Sequence, residues 1–435
     1  MSNRYSKSEE TLLEALKVIP LGSQTIGKSL RVFPYGVSPY FVNSASGSYT
    51  WDIDGNKYID MINSLYSVIL GHNDEHVMQA VLAQLNKGVN FSLSSVLELT
   101  LARKVIELVP CAEMVKFGKN GSDVTSLAVR LARAYTNKQH IFVCGYHGWQ
   151  DWFVSSNKVL GLGVPSHEQA FVHAFQYNDI DQLAALFTKF EGNIAGVIME
   201  PLPFEFPNNG YLQKVRQLCD ISNAILIFDE MVTGFRVSLG GAQEYFNVTP
   251  DLACFGKAIA NGFPLSVLAG REKIMQTLDR VFYTLTHGGE TLSLAAAIAV
   301  LNKLEDENVL KRICFFGDKF KMGLQKIINK HNLCNIMRLR GHPTIFILEF
   351  CDFEKYDKEQ LRTWYMQEIL KHSVLCFGIH SFTYSHVNDI DIQVLLDIYD
   401  HIFNELSNIL YQGKALKLNI KTTELIDKLQ NKAYV

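Results

Sequence analysis

Four short stretches carry residues whose types and spacing suit chemistry as well as packing. In "AILIFDEMVTGFR" an apolar run ends in adjacent carboxylates, Asp229 and Glu230. A carboxylate at the end of a buried strand is costly unless it caps a helix, pairs with a cation or meets a protonated ring nitrogen. Met231 follows, a core methionine or a packing face for such a ring. In "CFGKAIANGFP", Lys257 stands among glycine, alanines and other uncharged residues. Desolvation and a nearby cationic group lower an amine's pKa and yield the neutral nucleophile that imine chemistry requires. "CGYHGWQDW" sets Tyr146 and His147 between two glycines, a sharp turn that offers an aromatic face for packing or for stacking on a planar heteroaromatic ring. In "FGKNGSDVTSLAVRLARAYT", Gly121 and Ser122 lead into a helix with Asp123 in its first turn. That pattern serves as a helix cap or as an anion cup of backbone amides aided by the helix dipole. It is not a Walker loop, because the GxxxxGK[ST] spacing is absent.

The elements that must position these residues alternate along the middle of the chain. The spacing predicts helices over "HVMQAVLAQL", "SDVTSLAVRLARAYT", "IDQLAALFTKF" and "YLQKVRQLCDIS", and strands over "HIFVCG", "IAGVIME", "AILIFDE" and "DLACFG". Helical periods alternating with continuous β-branched runs indicate an α/β fold with a mostly parallel central sheet. Ligand-bearing residues of such sheets sit in loops at the carboxyl ends of the strands. Tyr146, His147, Glu200, Asp229 and Lys257 all fall at predicted strand ends, which points to one shared site. His147 and Glu200 would shape that site or serve as structural hydrogen-bond partners.

Upstream, "SEETLLEALKV" reads as an amphipathic helix, and "YTWDIDGNKYIDM" as a hairpin turning at "DIDGN". Past residue 310 the pattern becomes helix-rich, with strand candidates "TIFILEF" and "SVLCFG" and a lysine-rich last stretch read as a solvated helix or tail. The expected organisation is an N-terminal segment (1–75), a large domain (76–309) and a smaller α+β C-terminal domain (310–435).

The bulk numbers narrow the partners. A net charge of -3 from 41 basic and 44 acidic residues gives no field favouring nucleic acid or an anionic membrane. No apolar run approaches the roughly 18 to 20 residues that cross a bilayer. The eight cysteines are scattered without metal-like spacing, so free thiols in a reducing cytoplasm and no metal site are expected.

A phosphate cup at Gly121 and Ser122, a stacking Tyr146, an Asp229 for a pyridinium and a Lys257 for an imine together describe a pyridoxal 5'-phosphate site. On "YTWDIDGNKYIDM", "LAVRLARAYT", "DEMVTGFR", "FGKAIANGFP" and "GRE" the chain resembles the class III aminotransferases of the fold-type I pyridoxal phosphate enzymes, most of all the glutamate-1-semialdehyde aminomutase-like proteins. The resemblance runs from about residue 8 to residue 400 and implies that family's large cofactor domain and small C-terminal domain. It makes Lys257 the imine-forming lysine, Asp229 the partner of the ring nitrogen, Tyr146 the stacking aromatic, and Gly121 and Ser122 the phosphate-binding backbone. It matches Thr286, in "THGGETLSLAAA", to a threonine that reaches the phosphate of the neighbouring subunit's cofactor, and so implies a homodimer with shared sites.

The chain also departs from the family. The usual "GNP" after that threonine reads "GET" here, with Glu290 and Thr291. Leu65, beside Tyr66, aligns with a tryptophan that the aminomutases carry near the substrate. Arg31 is either their carboxylate-binding arginine or an exposed loop cation. The "GGETLSLAAA" variant resembles aminomutase-like proteins of surface polysaccharide biosynthesis, which suggests a sugar-derived carbonyl substrate.

The expected function is ping-pong amino transfer from a small-molecule amino donor to an aldehyde or ketone acceptor. The alternatives are an intramolecular 2,1-aminomutase and a non-catalytic phosphate-binding scaffold, the last disfavoured because Lys257 and Asp229 are both present.

Overall fold

The computed structural model describes residues 4–157 and 161–421. The chain divides into two compact units: Glu75–Leu310, and a second unit joining the residues up to Asp74 with those from Lys311 onward.

The second unit begins with a helix, Ser6–Val18, and three strands: β1 (Val42–Ser46), β2 (Tyr49–Asp52) and β3 (Lys57–Asp60). β2 and β3 form the hairpin expected at "DIDGN", with Thr50 opposite Tyr58. Its turn is fixed by Asp52, which accepts the Asn56 amide at 2.8 Å and the Tyr58 hydroxyl at 2.8 Å. Just beyond, Asn63–Tyr66 run through four consecutive positive φ angles, from 50° to 71°, with no glycine. Each such residue is disfavoured by about 1–2 kcal/mol, so the turn must be held from outside. Asp60 accepts the amides of Ile62 and Asn63, both at 2.9 Å, and the Asn63 amide group donates to the Ser381 carbonyl at 2.6 Å. This turn carries Leu65.

The Glu75–Leu310 unit is built on β4 (Met114–Gly118), β5 (His140–Cys144), β6 (Val172–Ala174), β7 (Ile194–Met199), β8 (Ile225–Asp229), β9 (Leu252–Phe255) and β10 (Ser266–Gly270). The sheet order is β4-β10-β9-β8-β7-β5-β6. β5 to β9 run parallel, while β10 is antiparallel to both β4 and β9. The mostly parallel sheet therefore carries an antiparallel strand inside one edge.

β7, β8 and β9 are buried throughout, which explains why they read as unbroken apolar runs. Side chains alternate between two cores. Ile225 and Ile227 of β8 pack with Val124, Leu127 and Leu131 of the helix Gly121–Thr136. Leu226 and Phe228 face Leu183, Phe187, Leu212 and Val215 of the helices Ile180–Lys189 and Tyr211–Ser222. Each large side chain so buried contributes about 1.5–3 kcal/mol. The two layers hold the carboxyl ends of the strands rigid.

The chain then returns to the second unit with β11 (Met337–His342), β12 (Ile345–Phe350), β13 (Val374–Leu375) and β14 (Ile379–Ser381). β11, β12 and β14 form an antiparallel sheet, and β13 pairs parallel with β3, Val374 opposite Ile59. That pairing ties the N-terminal hairpin to the C-terminal residues. A buried polar chain crosses this core: the Tyr365 and Tyr399 hydroxyls lie 3.2 Å apart, and Tyr399 reaches His380 Nε2 at 2.7 Å. In the lysine-rich last stretch, residues 413–421 form neither helix nor strand; the rest lies outside the described residues.

Candidate active site

Four parallel strands of the central sheet end side by side. Met199 of β7 lies opposite Cys144 of β5 and Phe228 of β8, and Asp229 of β8 lies opposite Cys254 of β9. The loops leaving these ends carry Tyr146 and His147, then Glu200, then Glu230 and Met231, and finally Lys257.

Asp229 is 2% exposed. Its Oδ2 lies 2.8 Å from His147 Nδ1, and its Oδ1 accepts the Met231 amide at 3.1 Å. An ionised carboxylate only accepts hydrogen bonds, so the proton is assigned to Nδ1 of His147. The other ring nitrogen, Nε2, is buried without a partner among the described residues. The His147 carbonyl in turn accepts the Thr125 hydroxyl at 2.7 Å, tying this loop to the helix Gly121–Thr136.

Glu200 Oε2 accepts the Tyr146 amide at 3.0 Å. Burial, reinforced by the charge of Asp229, raises its pKa, against the pull of His147, the Tyr146 amide and Lys257. Lys257 is partly buried, and its backbone sits at φ +47°, a conformation rare outside glycine and asparagine. Burial lowers its pKa; Asp229 and Glu200 oppose the shift, and the positive charge of Arg236 adds to it. An amine held toward its neutral form beside two carboxylates is a nucleophile and proton carrier in waiting.

Close approach of the loops depends on glycine at two positions. A Cβ on Gly121 would stand 2.9 Å from Met231 Sδ, and one on Gly256 would stand 2.7 Å from the same sulfur. Met231 is therefore wedged between the turn that opens the helix and the residue before Lys257. At that helix start, Asp123 Oδ2 accepts the amides of Lys119 and Asn120 at 3.1 and 2.7 Å. The cap is thus Asp123 reaching backward, which leaves the Gly121 and Ser122 amides at the positive end of the helix. Tyr146 is 64% exposed, and its ring meets Phe153 edge-on at 5.8 Å.

Eight of the nine expected site residues gather here: Gly121, Ser122, Tyr146, His147, Glu200, Asp229, Met231 and Lys257. Thr286 lies on the loop before the helix Thr291–Asp306, where its carbonyl accepts Asn90 Nδ2 at 3.2 Å. Two neighbours, Arg236 and Glu230, received no role of their own from the sequence. Arg236 is fully buried and acts electrostatically on Lys257, although "GFR" stood in the quoted motif. Glu230 pins the loop after β8 by accepting the Ala242 and Gln243 amides at 2.8 and 3.0 Å and the Thr233 hydroxyl. The partners of Glu230 are local amides with no sequence signature of their own.

Pyridoxal phosphate matches this donor set on every side. Helix-start amides suit its phosphate, a buried and oriented carboxylate suits its ring nitrogen, an uncovered aromatic face suits its ring, and a depressed amine suits its aldehyde. Among the described residues no group of three or more His, Cys, Asp or Glu side chains is placed to hold a metal ion.

Comparison with known proteins gives a consistent result. The family model described as Aminotransferase class-III matches residues 33–410. The 3-aminobutyryl-CoA aminotransferase of Cloacimonas acidaminovorans is 36% identical over 396 residues, covering 89% of this chain and 94% of the relative. The glutamate-1-semialdehyde 2,1-aminomutase of Desulforamulus reducens is 39% identical over 342 residues, covering 74% and 78%. The solved structure of the FumI protein of Sphingopyxis sp. MTA144, in its PLP internal aldimine form, matches with a TM-score of 0.86 at 27% identity, over 95% of this chain and 99% of that one.

Proposed function

The chain belongs to the class-III aminotransferases, and from that premise we propose that it moves an amino group from a separate small-molecule donor to an aldehyde or ketone acceptor in two half-reactions. Its cofactor is pyridoxal phosphate. When bound, the cofactor supplies a carbonyl carbon that takes amines and a ring that withdraws electrons from the carbon being deprotonated. The observation that carries the reading is the buried Asp229, held by His147 and the Met231 amide at the end of β8, next to the end of β9 from which Lys257 follows.

Gly121 and Ser122 would hold the phosphate at the helix start, and Tyr146 would cover one face of the ring. Asp229, oriented by His147 and by the Met231 amide, would hold the proton of the ring nitrogen. Met231, wedged below, supports the cup and the lysine loop together. Lys257 Nζ, whose burial favours the neutral form, would take the proton from the substrate carbon that carries the amine and later return one. Glu200 fixes the Tyr146 loop through its amide and moderates the charge on Lys257.

We also infer a homodimer, in which Thr286 serves the neighbouring subunit's phosphate. Leu85, Phe91, Leu93, Val96 and Leu99 are exposed to between 47% and 84%, a cluster of large apolar side chains on and between two helices that a second copy would cover. A cytoplasmic location is supported by eight cysteines that are all free and by the absence, among the described residues, of any helix long and apolar enough to cross a membrane.

The 39% identity to an aminomutase favours a second reading, in which one substrate carries both amine and carbonyl. Single-turnover incubation with a panel of amino acids separates the two. Stoichiometric release of a keto product without a second substrate is expected for a transferase, and strict retention of nitrogen within one substrate contradicts it. Polyhydroxylated aldehydes and ketones belong in the acceptor panel because of the "GGETLSLAAA" segment.

A further inference from the structure

Glu290 and Thr291, the residues at which the chain departs from its family, organise a connection of their own. Glu290 caps the helix Thr291–Asp306, its Oε1 accepting the Leu292 amide at 2.6 Å and its Oε2 the Ser293 amide and hydroxyl at 3.2 and 2.6 Å. A helix cap requires no more than that. Yet the same Oε2 also meets Lys119 Nζ at 2.8 Å, and Lys119 reaches the Ser293 hydroxyl at 3.3 Å. The two charged side chains are only 15% and 14% exposed. Burial pushes the Glu290 carboxyl up, but Lys119, Ser293 and the Leu292 amide outweigh it and hold the carboxyl below its usual range.

Lys119 is the residue after β4 and stands two positions before Gly121. Glu290 closes the loop that carries Thr286. The far side of that loop is pinned as well: the Thr291 hydroxyl meets the carbonyls of Gly88 and Val89, both at 2.9 Å, and Asn90 holds the Thr286 carbonyl. The Lys119–Glu290 contact is thus an ionic tie between the turn entering the cup and the Thr286 loop, made where water screens it weakly.

We propose that Lys119 and Glu290 form a positioning pair that sets how tightly the protein holds its cofactor, by fixing the Gly121–Ser122 turn against the Thr286 loop. The proposal rests on the reading of Gly121 and Ser122 as the phosphate cup. Neither residue touches the reacting atoms; both act through the backbone they hold.

The test is titration of the apoprotein with pyridoxal phosphate, followed by tryptophan fluorescence, for wild type, Lys119→Met, Glu290→Gln, the double variant and Lys119→Arg. Glu290→Gln keeps a capping oxygen and Lys119→Met keeps the stem, so the fold is retained; apoprotein melting curves check this independently. Each single substitution is expected to weaken the cofactor Kd by about tenfold, and the double variant by no more than either alone, as for two groups acting as one unit. Lys119→Arg is expected to retain most of the affinity. Single variants with Kd within about twofold of wild type, or losses that add in the double variant, would overturn the proposal while leaving the cup reading intact. A wild-type apoprotein that takes up no pyridoxal phosphate would overturn both.

Discussion

Gly145→Ala is a one-methyl test of how the Tyr146 loop is held. Gly145 sits at φ +105°, and a Cβ there would lie 2.4 Å from Glu200 Oε2 and 2.9 Å from its Cγ. An L residue in that backbone region costs about 1–3 kcal/mol. Glu200 cannot accept the methyl without swinging away, which breaks its 3.0 Å bond to the Tyr146 amide. A hydrogen bond to a charged group contributes about 1.5–3 kcal/mol, so the total loss is about 2.5–6 kcal/mol. Urea unfolding of the apoprotein measures it directly. The double variant Gly145→Ala/Glu200→Ala removes the obstructing carboxylate, so its loss should fall short of the sum of the two single losses by about 1 kcal/mol or more. A Gly145→Ala protein within about 1 kcal/mol of wild type, or strict additivity in the double variant, would show that Glu200 does not hold this loop as described.

Lys257→Met should change the pH dependence of apoprotein stability. With a folded pKa below the ordinary 10.5, the cost of burying the charged amine is fully present below the folded value. It is relieved as pH rises from there toward 10.5, because the unfolded chain then binds more protons. The variant should therefore be more stable than wild type at neutral pH and lack the alkaline gain; equal slopes of urea midpoint against pH would count against the depressed amine. Tyr399→Phe strips His380 Nε2 and the Tyr365 hydroxyl of a partner in a fully buried core and should cost about 1–3 kcal/mol by denaturant unfolding, where a loss below about 0.5 would contradict the network. Leu93→Asp with Val96→Asp puts two charges into the apolar cluster and should convert a dimer to monomers in light scattering; an unchanged dimer would place the interface elsewhere.

Much of the central sheet was legible because its inner strands are buried on both faces. β5, β7, β8 and β9 appear as unbroken apolar runs closed by a chemically odd residue, and each marks its own end. β4 and β10 were not legible. β4 alternates exposed and partly buried residues at the sheet's edge, and β10 is the short, small-residue run "SVLAG", whose antiparallel placement depends on partners far along the chain. The site followed the same logic. Lys257 and Asp229 announce themselves as charges at the ends of apolar runs. Arg236 and Glu230 act through contacts that only the folded loop creates, and the Lys119–Glu290 tie joins residues 171 apart. Lys257's left-handed backbone and the strained turn at Asn63–Tyr66 leave no trace in residue type, since neither uses glycine.

Lys257 is the residue proposed to carry the cofactor. Borohydride reduction of the holoprotein followed by digestion and tandem mass spectrometry locates the attachment directly. The reduced pyridoxyl group is expected on the peptide containing "CFGKAIANGFP", at Lys257, and nowhere in the Lys257→Ala protein. Attachment at another lysine, or none in a protein that retains its cofactor, would contradict the assignment.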